Sequence, residues 1–186
     1  MNEEYFIKKI KEKDLLIKKY KMKNESLKKE LEYYKKVAFT DSLTKLNNRR
    51  SLENIEKYDS VILGDVDHFK SINDNYGHSI GDLVLIDIGK ILKKYVRESD
   101  LVCRWGGEEF VILLKKCSDK DAYNKAIELK KAITDLSDKF GFKITMSFGI
   151  SKISDKTLKK AIDEADKAMY ESKENGRDTI TVYSLK

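Results

Sequence analysis

The stretch Arg104-Trp105-Gly106-Gly107-Glu108-Glu109-Phe110 constrains this chain more than any other. Apolar runs flank it, Leu101-Val102-Cys103 on one side and Phe110-Val111-Ile112-Leu113-Leu114 on the other. Each is long enough for a strand and too short for a helix, and the glycine pair supplies a turn. Leu101–Arg104 and Glu109–Lys115 are therefore expected to form a β-hairpin. Two carboxylates then sit side by side on a bare turn at the mouth of a buried strand, where they repel one another. A positive charge between them relieves that repulsion, and glycine leaves room for a bulky ligand to approach the backbone.

The remaining segments supply a sheet and its covering helices. Ser60–Gly64 is a second short apolar run, followed at once by the polar segment Asp65-Val66-Asp67-His68-Phe69-Lys70. Residues 69–75 suit a short helix that stops near Gly77, and Ser79 to Glu98 suit a long one. The latter carries Leu83, Leu85, Ile86, Ile88, Leu92 and Tyr95 as its apolar positions. A helix over 119–137 places Ala122, Ala126, Leu129, Ala132, Ile133 and Leu136 on one face. Residues 142–151 alternate as a strand, 156–174 read as a helix and 179–184 as a last strand. The order predicts an α/β fold, a mixed, mainly antiparallel sheet with helices packed on it.

Residues 1–38 read as one long glycine-free helix, and 39–186 as the main domain. With Ile10, Ile17, Asn24, Leu31 and Ala38 at position a, position d falls on Phe6, Lys13, Tyr20, Leu27 and Tyr34. That spacing is a coiled-coil seam, and a polar a residue such as Asn24 favours a two-stranded parallel register. A homodimer through this arm is expected, the alternative being a solvated helix that folds back on its own domain. The segment from Asp41 to Arg50 ends the arm, and 48–57 are expected to form a short helix.

The net charge of +6 could suggest nucleic acid, but residues 1–37 carry +5 of it. The main domain is nearly neutral, which argues against a nucleic-acid interface. No apolar run approaches the ~20 residues of a membrane span, and the charged N-terminus is unlike a secretory signal. Cys103 and Cys117 lack metal-binding or redox spacing, so reduced, buried thiols and a cytoplasmic location are expected.

Asp65 ends one strand and Glu108 lies in the hairpin turn. Asp65 and Asp67 alone would pass for solvated strand-end acids. If the two strands are neighbours, however, Asp65 and Glu108 converge, and two hard oxygen ligands suit Mg²⁺ together with phosphate oxygens. Lys70, a few residues beyond Asp65, could then meet phosphates.

RWGGEEF, DVDHFKSINDNYGHSIGD, DSLTKLNNRR and the late ADKAMYESKENGRD together resemble the signature segments of the GGDEF-domain diguanylate cyclases, from about Asp41 to the C-terminus. The resemblance implies a fold like the palm of nucleotide polymerases and class III nucleotide cyclases. It implies condensation of two GTP into cyclic di-GMP with release of two pyrophosphates, aided by Mg²⁺ or Mn²⁺.

It also implies residue roles. Asp65 and the backbone carbonyl of Val66 would bind metal. Glu108 would be the second metal carboxylate and the base for the 3′-hydroxyl, with Glu109 assisting. Lys70 would stabilise charge building on the phosphates. Asn73 and Asp82 would read the guanine edge, His78 would lie among the substrate contacts, and Lys173 and Arg177 would hold the triphosphate. An ionised aspartate is acceptor-only, so Asp82 suits the N1–H and amino donors of guanine, a pair that adenine lacks.

A ring of two nucleotides needs two domains face to face, which gives the coiled-coil arm a purpose. Arg97 and Asp100, in RESD, match the family's RxxD inhibitory site for product. Two departures stand out: Lys45 occupies a position where the family usually has glycine, and the segment after Arg50 is short. No sensory domain is expected before the arm. Other readings are a catalytically silent cyclic di-GMP receptor or scaffold, and a cyclase with a mixed or adenine product.

Overall fold

The computed structural model describes residues 3–53, 55, 58–153 and 156–184. The chain divides into two compact units, Met1–Phe39 and Thr40–Lys186. The first is a single helix, α1, over Glu3–Phe39. Its 37 residues correspond to roughly 55 Å at ~1.5 Å per residue. None of its side chains is buried, and Phe6, Ile10, Ile17, Tyr20, Leu27, Leu31 and Tyr34 are all exposed.

The second unit is built on a six-stranded sheet. Its strands are β1 (Asn47–Asn48), β2 (Ser60–Val66), β3 (Leu101–Arg104), β4 (Glu109–Leu114), β5 (Met146–Lys152) and β6 (Ile180–Val182). They lie in the order β1-β3-β4-β2-β5-β6. The outer pairs β1–β3 and β5–β6 are parallel, and the three inner pairs are antiparallel. The helices are α2 (Phe69–Tyr76), α3 (His78–Tyr95), α4 (Asp119–Thr134), α5 (Leu136–Phe140) and α6 (Leu158–Glu174). The mixed, mainly antiparallel sheet flanked by helices is the architecture expected from the sequence.

Alternation along the strands creates two cores. Ile62, Val102, Phe110, Ile112 and Phe148 face α2, α3 and α4, and pack with Phe69, Val84, Leu85, Ile88, Leu92 and Leu129. Val61, Leu63, Cys103, Val111 and Leu113 face the other way, toward Ala161, Ile162, Ala165 and Met169 of α6. Complete burial of one such Leu, Ile or Phe contributes about 1.5–3 kcal/mol. The central strand β2 is buried along its whole length, so its end is a rigid platform.

Some local expectations need correction. In place of a helix over 48–57 there is a single 3₁₀ turn, Arg49–Leu52, capped by the Asn48 side chain accepting from Ser51 N. Residues 54, 56 and 57 lie outside the described residues. The helix expected over 79–98 ends at Tyr95, and its Leu83 and Tyr95 are exposed, because Val84 takes a core position instead. The helix expected over 119–137 breaks at Asp135 into α4 and α5. Its start is a capping box, Ser118 with Asp121. Strand β5 begins at Met146, and β1 is too short to carry a periodic signal. Among the described residues, no helix is long and apolar enough to cross a membrane.

Candidate active site

Three acidic residues, Asp65, Glu108 and Glu109, are neighbours where β2 ends and β4 begins. Asp65 is directly opposite Glu109 on one side and Ser147 of β5 on the other. The Val66 N–H donates to the Glu108 carbonyl at 3.2 Å, which fixes the turn against the strand end. The turn is closed by the N–H groups of Trp105 and Gly106, which donate to the Glu109 carbonyl at 2.8 and 3.3 Å. Asp65 is buried, whereas Glu108 and Glu109 are half-buried. Antiparallel pairing brings together acids that are 43 or more positions apart in the chain.

The electrostatics follow from that crowding. Burial raises the carboxyl of Asp65 above its usual range. Lys173 opposes this rise, while the charges of Asp67 and Asp166 add to it. Glu108 and Glu109 are likewise raised, first by burial and then by the charge of Asp65. One cation is built in, since Lys173 Nζ lies 2.9 Å from Asp65 Oδ1. Helix α6 delivers it by direct backbone packing on β5. A Cβ at Gly149 would stand 2.0 Å from the Ala165 carbonyl oxygen, so only glycine allows this approach.

The residues expected to meet a nucleotide fall into two groups. Lys70 lies in the first turn of α2, while His78 and Asp82 lie in the first turns of α3, and all three are exposed. Asn73 is half-buried between these helices. A Cβ on Gly81 would stand 1.9 Å from Asn73 Oδ1, so the Asn73 amide rests on the bare backbone beside Asp82. The other group follows α6: Lys173 at its end, and Arg177 in a turn with left-handed backbone, exposed to solvent.

A family profile described as "Diguanylate cyclase, GGDEF domain" matches residues 38–179. The chain belongs to the GGDEF domain family. It is 39% identical over 128 residues to Diguanylate cyclase A of Treponema denticola, covering 66% of this chain and 34% of that protein. It is 35% identical over 153 residues to Diguanylate cyclase DgcZ of Escherichia coli, covering 74% of this chain and 51% of that protein. Across the first curated relatives it spans between 28% and 51% of their length. The fold is similar to a solved structure of the coiled coil and GGDEF domain of DgcB from Caulobacter crescentus, in complex with c-di-GMP. The TM-score is 0.78 at 24% identity, over 91% of this chain and 98% of that one.

The GGDEF turn has a brace that its spacing did not reveal. The Arg104 guanidinium donates to the Gly107 carbonyl at 2.7 and 3.2 Å and to the Asp41 carboxylate at 3.2 and 3.3 Å. Asp41 also accepts from the Thr44 N–H and hydroxyl, both at 2.7 Å. Burial pushes the Asp41 carboxyl up, but these bonds and the Arg104 charge outweigh it and hold the group below its usual range. Both residues lie inside the quoted motifs, but 63 positions apart, so nothing local signals the pair. Asp67, set aside as a strand-end acid, is buried and accepts from Thr145 Oγ1, Ser147 Oγ and Asp178 N at 2.8, 2.7 and 3.0 Å.

The donor chemistry of the GGDEF site fits a hard divalent cation. All candidate donors are oxygens, and three of them belong to carboxylates raised by crowding that a cation would relieve. Among the described residues, no three His, Cys, Asp or Glu side chains close around a common point, and the Lys173 ammonium supplies the countercharge to Asp65.

Arg97 and Asp100 lie at the other end of the hairpin, in the turn between α3 and β3. The Asp100 carboxylate is buried and accepts from the N–H groups of Arg97 and Lys115 at 3.0 and 3.1 Å, while Arg97 is exposed. Asp100 therefore anchors the turn. Both cysteines are free, Cys103 buried and Cys117 only half-buried. Burial, with the charge of Asp41, pushes the Cys103 thiol up to about 12.

Proposed function

We propose that this chain is a diguanylate cyclase that condenses two GTP molecules into cyclic di-GMP and two pyrophosphates. The observation that carries the reading is the crowding of Asp65, Glu108 and Glu109 across one strand pair, with Lys173 as their internal countercharge. In each half-reaction a 3′-hydroxyl oxygen bonds to the α-phosphorus of the second nucleotide. The bond from that phosphorus to the pyrophosphate oxygen breaks, and the hydroxyl proton passes to Glu108. Burial, with the charge of Asp65, raises the Glu108 carboxyl above its ordinary value, which makes it a stronger proton acceptor.

A divalent cation, Mg²⁺ or Mn²⁺, held by Asp65, Glu108 and the Val66 carbonyl, would supply positive charge to the α-phosphate and the leaving pyrophosphate. Lys70, Lys173 and Arg177 neutralise the phosphate chain. Asp82 and Asn73 accept and donate at the guanine edge, and His78 borders the base. An acceptor-only carboxylate facing a base without matching donors loses its partners, which is the basis for rejecting ATP.

Two domains face each other so that each presents its hydroxyl to the other's phosphate. The exposed stripe of α1 supports a homodimer that raises the local concentration of domains. Cyclic di-GMP would return to Arg97 and Asp100 as an inhibitor, with the exposed guanidinium as its first contact. With GTP as substrate, the catalytic domain is placed in the cytoplasm.

Incubation with GTP and Mg²⁺, followed by chromatography of the nucleotides, tests the reading. Cyclic di-GMP and pyrophosphate in a 1:2 ratio are expected, following the reaction's atom balance. Binding of cyclic di-GMP without turnover would overturn the enzymatic reading in favour of a receptor.

A further inference from the structure

Arg177 stands on an unusual piece of backbone. Gly176, Arg177 and Asp178 have φ of 99°, 63° and 48°, three consecutive residues in the left-handed region. Glycine enters that region freely, but Arg and Asp each do so at a conformational cost. The turn therefore persists only because its surroundings hold it.

Those surroundings are specific. The Arg177 N–H donates to the Ser172 carbonyl at 3.1 Å, which closes the turn onto the end of α6. The Asp178 N–H donates to Asp67 at 3.0 Å, and Lys130 Nζ of α4 lies 2.8 Å from Asp178 Oδ1 as an ion pair without hydrogen-bond alignment. The Thr179 carbonyl then accepts from Phe148 N of β5 at 2.9 Å. Asp67 is the hub. Three donors converge on its buried carboxylate: the Thr145 and Ser147 hydroxyls and the Asp178 N–H. The link from Asp67 to Asp178 spans 111 positions and ties the end of β2 to the turn that carries Arg177. A cavity of about 320 Å³ opens against the same turn, bordered by Asp67, His68, Lys143, Thr145 and Arg177.

The geometry points to Asp67 as a positioning residue that acts through Arg177, with Lys130 as the second tether. Together they hold the Gly176–Asp178 turn in its left-handed form, so that the Arg177 guanidinium is pre-set for the polyphosphate of the nucleotide. This inference rests on the phosphate role given to Arg177 above. It differs from a role in metal binding: both Asp67 oxygens already accept, from two hydroxyls and one backbone N–H, and Asp65 is the acid that faces Lys173.

Asparagine at position 67, with its amide nitrogen donating to the Ser147 hydroxyl, keeps the carbonyl that accepts from Asp178 N–H but removes the charge, so Asp67→Asn should fold while the tether weakens from a charge-assisted to a neutral hydrogen bond. Lys130→Met leaves Asp67 untouched and removes the other tether. Full-length variants are titrated calorimetrically with a non-hydrolysable GTP analogue and with GMP. Arg177→Ala should weaken the triphosphate roughly ten- to a hundredfold, the range of a charge-assisted hydrogen bond, and leave GMP unchanged. Asp67→Asn and Lys130→Met should each weaken the triphosphate about threefold or more, again sparing GMP. Combining either with Arg177→Ala should add no further loss, because both act through the same guanidinium.

Equal weakening of GMP would show a general structural effect and overturn the inference, as would penalties that multiply in the double variants. Loss in Arg177→Ala with none in Asp67→Asn and Lys130→Met would overturn this inference alone. No loss in Arg177→Ala would overturn the phosphate role and this inference together.

Discussion

Lys173 places its ammonium 2.9 Å from Oδ1 of Asp65, so the end of α6 is pinned by an ion pair to the most buried of the three crowded acids, Asp65, Glu108 and Glu109. One lysine cannot balance three carboxylates. Asp65, Glu108 and Glu109 all remain above their usual range, which means that ionisation of the cluster works against folding.

A consequence concerns Glu108. Its raised carboxyl means that, above that raised value, the ionised side chain destabilises the folded state. Glu108→Gln should therefore melt at a higher temperature than the parent at neutral pH without divalent cation. Added Mg²⁺ should raise the parent's melting temperature more than the variant's. Cyclic di-GMP formation should fall ~10²-fold or more with the loss of the base. Melts with and without Mg²⁺ check this, and an unchanged or lower melting temperature in the cation-free variant would count against the crowding.

Asp41 behaves in the opposite way. Its carboxyl is held below its ordinary value of 3.8, so its ionised form contributes stability that is fully present above that value. The contribution is lost as pH falls through the lower folded-state value. Asp41→Asn should be less stable than the parent at pH 7, and the gap should close as acid is added. Urea unfolding at a series of pH values reads this directly. A gap that stays constant down the acid limb would show that the hydrogen bonds, not the charge, matter.

Gly81 is the spacer that lets Asn73 reach its position. Gly81→Ala would put a methyl 1.9 Å from the present position of Asn73 Oδ1. Backbone does not block it, so the amide should swing away and the fold should survive. The expected result is weaker GTP binding and a discrimination against ATP reduced about tenfold, the scale of one net hydrogen bond. Competition binding with both nucleotides checks it, and unaltered selectivity would remove Asn73 from the reading of guanine.

Lys45 has φ of 60°, in the left-handed region. The left-handed region costs a non-glycine residue roughly 1–2 kcal/mol, and glycine's extra unfolded-state freedom returns part of that. The Lys45 ammonium also donates to the Ser42 carbonyl at 2.7 Å, an exposed bond of small value. Lys45→Gly should stabilise the domain by about 0.5–1 kcal/mol. Chemical denaturation would show it, and a destabilised variant would mean that the Ser42 contact outweighs the strain.

The α1 seam makes a prediction for the intact chain. Ile17→Glu combined with Leu31→Glu should shift the population from dimer to monomer, since charge enters two a positions. Turnover per chain should then become strongly dependent on protein concentration, because the tether no longer supplies the partner. Light scattering and rate measurements over a dilution series would decide. Unchanged mass and concentration-independent turnover would sink the role given to the arm.

Much of the fold was legible in the sequence because its signals are local. The hairpin Leu101–Leu114, the buried strand β2 and the amphipathic face of α4 each follow from alternation, helical spacing or glycine within a short window. Where the pattern was weak, reading failed. Asn47–Asn48 gives no periodic signal, and Arg49–Leu52 closes as a single 3₁₀ turn. Leu83 was expected inside α3 and is exposed, because packing against the sheet, not apolarity alone, chose Val84.

The sequence by itself determined the chemistry on offer: two acids on a bare glycine turn, a third acid at a strand end, and cations late in the chain. Only the tertiary structure decided which of these groups meet. Antiparallel pairing put Asp65 beside Glu109, and the fit of α6 over Gly149 delivered Lys173 to the cluster. Asp67 and Asp41 became structural anchors because their donors arrive from distant segments. A residue's type and spacing fix what it can bond to, but its partner is fixed by chain packing, which brings together groups that no local window contains.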